Sequence, residues 1–303
     1  MNFEVTILGC GSAIPSYGRF SASQIVCVRD KSFMIDCADG TQFRMRELAI
    51  KTTRLNHIFI SHLHGDHCFG IISVISTLGL MKRTASLHIH AHPDLQGLLE
   101  PHLKYFCHDL TFNVLFEPFN PLKNEVIYED KSLTVETIPL KHGVPTCGFL
   151  FKEKPRQPHL KRDIIDFYKV GVKDLKDIKN GANFVTPEGK IISNETFLSP
   201  ATLPKSYAYC SDTAYNETII PIIRGVDCLF HEATFAESEK LRAKQTLHST
   251  AKQAAVIAQQ ADVKQLIIGH FSARYAKTEI LLKEAREIFK NTLLAEDRKI
   301  FHF

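Results

Sequence analysis

The chain contains no apolar run near the ~20 residues that a membrane-crossing helix needs, so no span is expected. Its first residues, Met1-Asn2-Phe3-Glu4-Val5, carry no basic cluster, and no signal peptide is expected. No two of its eight cysteines form a C-x-x-C pair. Cys10, Cys27, Cys37, Cys68, Cys107, Cys147, Cys210 and Cys228 are dispersed along 303 residues, the pattern of a reduced, cytoplasmic protein. All eight read as small buried apolar residues. Gly9-Cys10-Gly11 is a G-x-G, but no third glycine follows and no helix opens, which argues against a dinucleotide site. No repeat of short period is present.

What is present is an ordinary globular composition, 44% hydrophobic and 23% charged, on a chain long enough to bury a sizeable core. Apolar and alternating runs predict strands at 3–8, 23–28, 32–36, 56–60, 87–91, 114–116, 126–128, 133–138, 147–151, 207–210, 228–231 and 265–270. Helical periodicity falls at 41–50, 69–80, 93–105, 250–260 and 278–289, with Ser249 or His248 near the cap of the fourth. Many strands with helices between and after them suggest an α/β protein built as an αββα sandwich.

The densest chemistry is Ser61-His62-Leu63-His64-Gly65-Asp66-His67, directly after a strand. His62 and His64 are two apart and leave the same face of extended backbone. Asp66 and His67 then fall in the turn, where they can serve a second position. Imidazole and carboxylate donors together suit zinc and its neighbours. Four later strand ends also carry metal-capable or acid–base residues: His142, Asp212, His231-Glu232 and His270. Each alone reads as a satisfied core or loop residue. Together, converging on one rim of a sheet, they point to a binuclear metallohydrolase.

Charge is uneven. The formal net charge is +4, and the segment from Lys152 to Lys190 alone holds ten Lys/Arg against six Asp/Glu. Prolines and glycines punctuate 152–200, which reads as an inserted arm with little core of its own inside a single domain spanning 1–303. A basic segment on a neutral body is what a polyanion-binding element looks like.

The chain resembles the metallo-β-lactamase superfamily and, within it, the ribonuclease Z family of tRNA 3′-processing endonucleases. The opening Leu8-Gly9-Cys10-Gly11-Ser12, Asp36 to Gln42, the histidine motif, His231-Glu232-Ala233-Thr234, His248-Ser249-Thr250-Ala251 and His270-Phe271-Ser272-Ala273-Arg274-Tyr275 carry the likeness. It implies a metallo-β-lactamase αββα sandwich with an inserted flexible exosite arm that grips tRNA. It implies two zinc ions per subunit: His62, His64 and His142 on one, Asp66, His67 and His270 on the other, Asp212 bridging. Asp66, Glu232 and His248 would be catalytic, with His248 as proton donor and Glu232 orienting it. Arg19, Arg274, Lys152, Lys154 and Arg156 would bind substrate. The expected partners are precursor tRNA and a second copy of the chain, one subunit's arm serving tRNA at the other's site. The loop Pro15-Ser16-Tyr17-Gly18-Arg19-Phe20 keeps the arginine of the family's P-x-K-x-R-N pattern and lacks its lysine and asparagine.

Two other readings compete. A phosphodiesterase for small esters or cyclic nucleotides has no use for a basic arm. A catalytically dead RNA-binding relative would have lost ligands, and all seven are present.

Overall fold

A computed structural model describes residues 3–16, 18–156, 158–200 and 202–303; Tyr17 of the Pro15–Phe20 loop lies outside them. The chain divides into two compact units, one of residues 1–152 with 205–303, the other of Glu153–Pro204.

The larger unit is built on two seven-stranded sheets. The first holds β1 (Glu4–Gly9), β2 (Ser23–Val28), β3 (Lys31–Cys37), β4 (Leu55–Phe59), β5 (Leu87–Ala91), β6 (Val114–Pro118) and β18 (Ile300–His302), in the order β18-β1-β2-β3-β4-β5-β6. The second holds β7 (Val126–Glu129), β8 (Leu133–Pro139), β9 (Cys147–Glu153), β14 (Ser206–Cys210), β15 (Cys228–Glu232), β16 (Leu266–Gly269) and β17 (Thr292–Leu294), in the order β17-β16-β15-β14-β9-β8-β7. Each sheet passes from antiparallel to parallel pairing along its width.

The near-continuous apolar strands follow from burial of both faces. In β3, Phe33 and Ile35 join the core between the sheets, with Phe59, Phe149, Phe151, Tyr207 and Tyr209. Met34, one residue out of phase, joins a second core under the helices, with Ile58, Val74, Ile75, Leu78, Leu95 and Leu99. Those helices are α1 (Thr41–Glu47), α3 (Ile71–Leu80) and α4 (Asp94–Phe106), with the single turn α2 (Gly65–Cys68) ahead of α3. Between strands of the second sheet run α8 (Ile220–Ile223), after β14, α9 (Lys240–Thr246) and α10 (Ala251–Gln260), after β15, and α11 (Glu279–Arg286), after β16. This is the expected sandwich. Gly70 permits a close approach at the site: a Cβ there would lie 1.9 Å from the Ala38 carbonyl oxygen, so only glycine lets α3 start against the end of β3.

The cap of α10 differs from expectation. Thr250 is the N-cap and shares a reciprocal capping box with Gln253. Ser249 instead gives its hydroxyl to the Thr213 carbonyl at 2.7 Å. Cys27 also departs from the reading of eight buried thiols: it is partly exposed, and the other seven are buried.

The smaller unit is more ordered than its composition suggests. It contains α5 (Arg162–Phe167), α6 (Val172–Lys179) and α7 (Asn194–Phe197). β10 (His159–Leu160) pairs with β13 (Leu198–Ser199), and β11 (Phe184–Val185) with β12 (Ile191–Ile192). Ile178, Phe184, Ile192 and Phe197 form its core, with Ile164 and Tyr168 packed against them. Its charged residues stand around that small core.

Candidate active site

The site gathers the residues that follow strand ends in both sheets. β4 ends at Phe59 and delivers His62 and His64 in the next loop. Asp66 and His67 sit on α2 and not in an open turn. His142 follows β8, Asp212 follows β14, and His270 follows β16. Asp212 and His270 have left-handed backbones, φ 51° and 58°, as does Asp36 at φ 54°. Non-glycine residues reach that region at a cost of about 1–3 kcal/mol, and such residues concentrate at functional sites.

All seven expected ligand residues are brought together in two overlapping groups, His62, His64, His142 and Asp212 in one, Asp66, His67, Asp212 and His270 in the other. Asp212 belongs to both. Its Oδ1 lies 3.2 Å from His67 Nε2 and 3.1 Å from His270 Nε2. Its Oδ2 lies 3.7 Å from His62 Nε2 and 3.8 Å from His142 Nε2. His64 Nδ1 is 3.0 Å from His62 Nε2 and 3.3 Å from His142 Nε2. Asp66 Oδ2 lies 3.5 Å from His67 Nε2 and 3.7 Å from His270 Nε2.

These donors fit divalent metal ions. The Nε2 atoms of His67 and His270 are buried and lack an aligned hydrogen-bond partner, although Asp212 is near. A buried polar atom left this way is costly unless something else takes its lone pair. The other ring nitrogens are committed. His67 Nδ1 donates to Asp36 at 2.7 Å, His142 Nδ1 to the Leu247 carbonyl at 3.1 Å, and His270 Nδ1 to the Thr234 hydroxyl at 3.0 Å. That fixes the tautomer that leaves Nε2 as a ligand. Burial lowers His62 and His64 below the usual histidine range, favouring the neutral form a metal requires. Burial alone would raise Asp212, but His270 and His67 hold its carboxyl far below its ordinary value.

Asp36 has a role that the sequence alone does not assign. It is fully buried and accepts from the Ser61 amide at 2.8 Å, the Ser61 hydroxyl at 2.9 Å, His67 and, at 2.7 Å, the Tyr209 hydroxyl. An aspartate ending an apolar strand one turn before a helix was the available signal.

Glu232 and His248 meet beside the two groups. Glu232 Oε1 accepts from His248 Nδ1 at 2.8 Å and from the Thr213 amide at 2.8 Å. Burial opposes the charge of His248, but Glu232 outweighs it and pushes the imidazole up to about 9. The ring is therefore protonated near neutrality, and among the described residues its Nε2 has no hydrogen-bond partner. His231 is buried in the strand, its Nδ1 on the Glu232 carbonyl at 2.8 Å.

A cavity of about 310 Å³ opens over His64, Asp66, His142, Asp212, His248 and His270. Arg274 also lines it, paired with Glu239 at 2.6 Å and lying over the Phe235 ring at 5.2 Å. Arg19 bonds the Tyr275 carbonyl and lies over Phe271 at 5.9 Å, and is not part of the cavity lining. Lys152 pairs with Glu136 at 2.9 Å. Lys154 and Arg156 belong to the smaller unit, where Arg156 pairs with Glu153 at 2.7 Å.

Comparison with known proteins follows the same line. Over 295 residues the chain is 58% identical to "Ribonuclease Z" of Phocaeicola vulgatus, covering 97% of this chain and 96% of that protein. It is 57% identical to "Ribonuclease Z" of Bacteroides fragilis, covering 97% of each. Among solved structures it resembles the short form of human tRNase Z, with a TM-score of 0.71, 20% identity and 98% of each chain covered. It also resembles YhfI of Bacillus subtilis, a metallo-beta-lactamase fold protein, with a TM-score of 0.69, 17% identity and 100% of each chain covered. These two likenesses establish the fold. A family model described as "Anti-Pycsar protein Apyc1" matches residues 3–157.

Proposed function

Because the chain belongs to the ribonuclease Z family, and through residues 3–157 to the family described by Anti-Pycsar protein Apyc1, we propose that it removes the 3′ trailer from precursor tRNA by hydrolysis. The products are a tRNA 3′-hydroxyl and a 5′-phosphorylated trailer. The observation that carries this is the pairing of a bridged two-group ligand set with a charged, oriented proton donor, His248, on the same cavity.

We assign two zinc ions per subunit: one on His62, His64 and His142, one on Asp66, His67 and His270, with Asp212 shared. Two bound metals about 3.5–4 Å apart would screen the phosphodiester charge and acidify water. The chain's own residues do the rest. Asp66 accepts a hydrogen bond from the attacking water. The water oxygen joins phosphorus, and the bond from phosphorus to the tRNA 3′ oxygen breaks. His248 Nε2 gives that departing oxygen its proton, and Glu232 stabilises the imidazolium until then. The water's proton leaves to solvent, and solvent recharges His248.

The basic residues of Glu153–Pro204, with Lys152, are read as a tRNA-gripping arm that contacts phosphates without regard to sequence. Arg19 and Arg274 are read as substrate-binding groups near the cut. Exposed Phe43 on α1, Phe69 at the end of α2 and Leu80 at the end of α3 support a homodimer. Eight free cysteines support a cytoplasmic setting. No described helix is long and apolar enough to cross a membrane.

The test is incubation of purified protein with a precursor tRNA carrying a trailer, with and without a chelator, with both new ends mapped. A chelator-sensitive cut leaving a 3′-hydroxyl on tRNA is expected. No cut by metal-loaded protein, or a 3′-phosphate on the tRNA, overturns the proposal. Light scattering on the eluting protein distinguishes dimer from monomer.

A further inference from the structure

His248 lines a second cavity, of about 440 Å³, as well as the active-site cavity. None of the seven ligand residues lines this second space. Its walls carry Lys141, Lys240, Lys244, the ring of Tyr215 and Leu241, and no carboxylate. Lys240 and Lys244 are four apart on α9 and so share a face. Lys141 directly precedes His142, so this wall continues the ligand loop.

The cations are poorly neutralised. Lys240 pairs with Glu237 at 2.8 Å, while among the described residues Lys141 and Lys244 have no acidic partner. Leu241 is 79% exposed, an apolar side chain held open to solvent. The Tyr215 hydroxyl is tied to Glu217 at 2.7 Å, which steadies its ring. An aromatic face, an exposed leucine and cations without counter-charge suit a nucleotide: a base stacks on the ring, and phosphates meet the ammonium groups. The volume is that of a small-ligand pocket, typically about 300–1,000 Å³.

We propose that this cavity receives the nucleotide on the 5′ side of the scissile phosphate, the one whose 3′ oxygen departs. Its base lies against Tyr215 and Leu241, and the phosphate on its own 5′ side is held by Lys141 and Lys244. The side is set by proton transfer. His248 must touch the departing oxygen, so the ribose bearing that oxygen continues past His248, into the other space His248 lines. The trailer then lies toward Arg242 and Arg274. The inference rests on the endonuclease reading and adds a polarity to it.

The test measures binding to metal-loaded protein of three ligands: cleaved tRNA, the same tRNA lacking only its terminal base, and a 5′-phosphorylated trailer oligonucleotide. Loss of the base is expected to weaken binding about tenfold. Tyr215→Ala should weaken the intact product by a similar factor and the abasic product far less, because the two changes remove one contact. Lys244→Ala should reduce the salt slope of tRNA binding by about one phosphate contact. Trailer affinity should not move in either variant. A Tyr215→Ala loss equal on intact and abasic products, or a loss confined to the trailer, overturns the subsite. If the wild-type protein cuts precursor tRNA and both variants bind cleaved tRNA normally, the subsite alone fails. If the wild-type protein cuts no precursor, the endonuclease reading fails.

Discussion

Glu232 Oε1 lies 2.8 Å from Nδ1 of His248, and the other oxygen of the same carboxylate takes the Thr234 hydroxyl at 2.6 Å. Thr234 in turn receives His270 Nδ1. One buried acid therefore orients both His248, the proposed proton donor, and His270, a proposed metal ligand. Glu232→Gln keeps the shape and removes the charge. Without that charge burial dominates and His248 loses its proton more readily. A donor works only while protonated, so activity falls as pH rises through its pKa. The alkaline limb of kcat should move to lower pH in Glu232→Gln. A limb that stays in place would remove His248 as the proton source.

Truncating the donor itself separates chemistry from binding. His248→Ala should slow the chemical step by about 10²–10⁴-fold, the range for general acid help. Zinc content and tRNA affinity should stay near wild type. Loss of one metal equivalent would make His248 a ligand.

Asp36 is predicted to tune metal affinity without touching the metal. Asp36→Asn removes the charged acceptor behind His67 Nδ1. Groups in this position are worth about 10–100-fold in metal affinity. Competition with a chromophoric chelator should show weaker binding, while Asp212→Ala should lose both sites together. Wild-type affinity in folded Asp36→Asn would reduce Asp36 to a packing role.

Acid should weaken the sandwich through its histidines. Burial pushes His57 down to about 4 and His90 down to about 3, and His57 Nδ1 lies 3.0 Å from His90 Nε2. Below the ordinary histidine pKa of about 6.5 these two positions bind more protons in the unfolded chain than in the folded one. Stability is then full above that pH and declines as pH falls toward the folded values. His90→Phe, beside Phe59 at 4.3 Å between ring centroids, should flatten the decline in urea midpoint between pH 7 and 5. An unchanged slope would mean that other groups govern it.

Replacing Glu153–Pro204 with a short linker should raise KM for precursor tRNA and flatten the salt dependence of binding, with zinc retained. All seven ligand residues lie outside the removed span. Metal loss in a folded variant would make the segment a support for the site and end the arm reading.

The sandwich was legible because its strands are buried on both faces, as in β3 and β4, and apolar runs survive in sequence. The metal-capable residues that the structure gathers were legible because His62, His142, Asp212 and His270 closely follow such runs and His64, Asp66 and His67 crowd behind the first of them. The helices of 162–179 were not, because only Ile178 of α6 is buried and charges hide the period. The C-terminal strands β17 and β18 were missed because each is three residues long. Asp36 and Tyr209 were invisible as partners, since their 2.7 Å contact joins positions far apart in the chain. The pocket beside His248 escaped for the same reason: Lys141, Tyr215 and Lys244 meet only after folding.

The pairing of β18 with β1 sets Ile300 opposite Thr6 and His302 opposite Glu4. During synthesis the first strand leaves the ribosome with one flank uncovered, and its neighbour on that side is made almost 300 residues later. Until then Glu4 to Thr6 present open backbone groups to other nascent chains. Chaperone demand should thus fall on the emerging amino-terminal half, and a ribosome stalled before residue 300 would carry a sheet still lacking its edge strand.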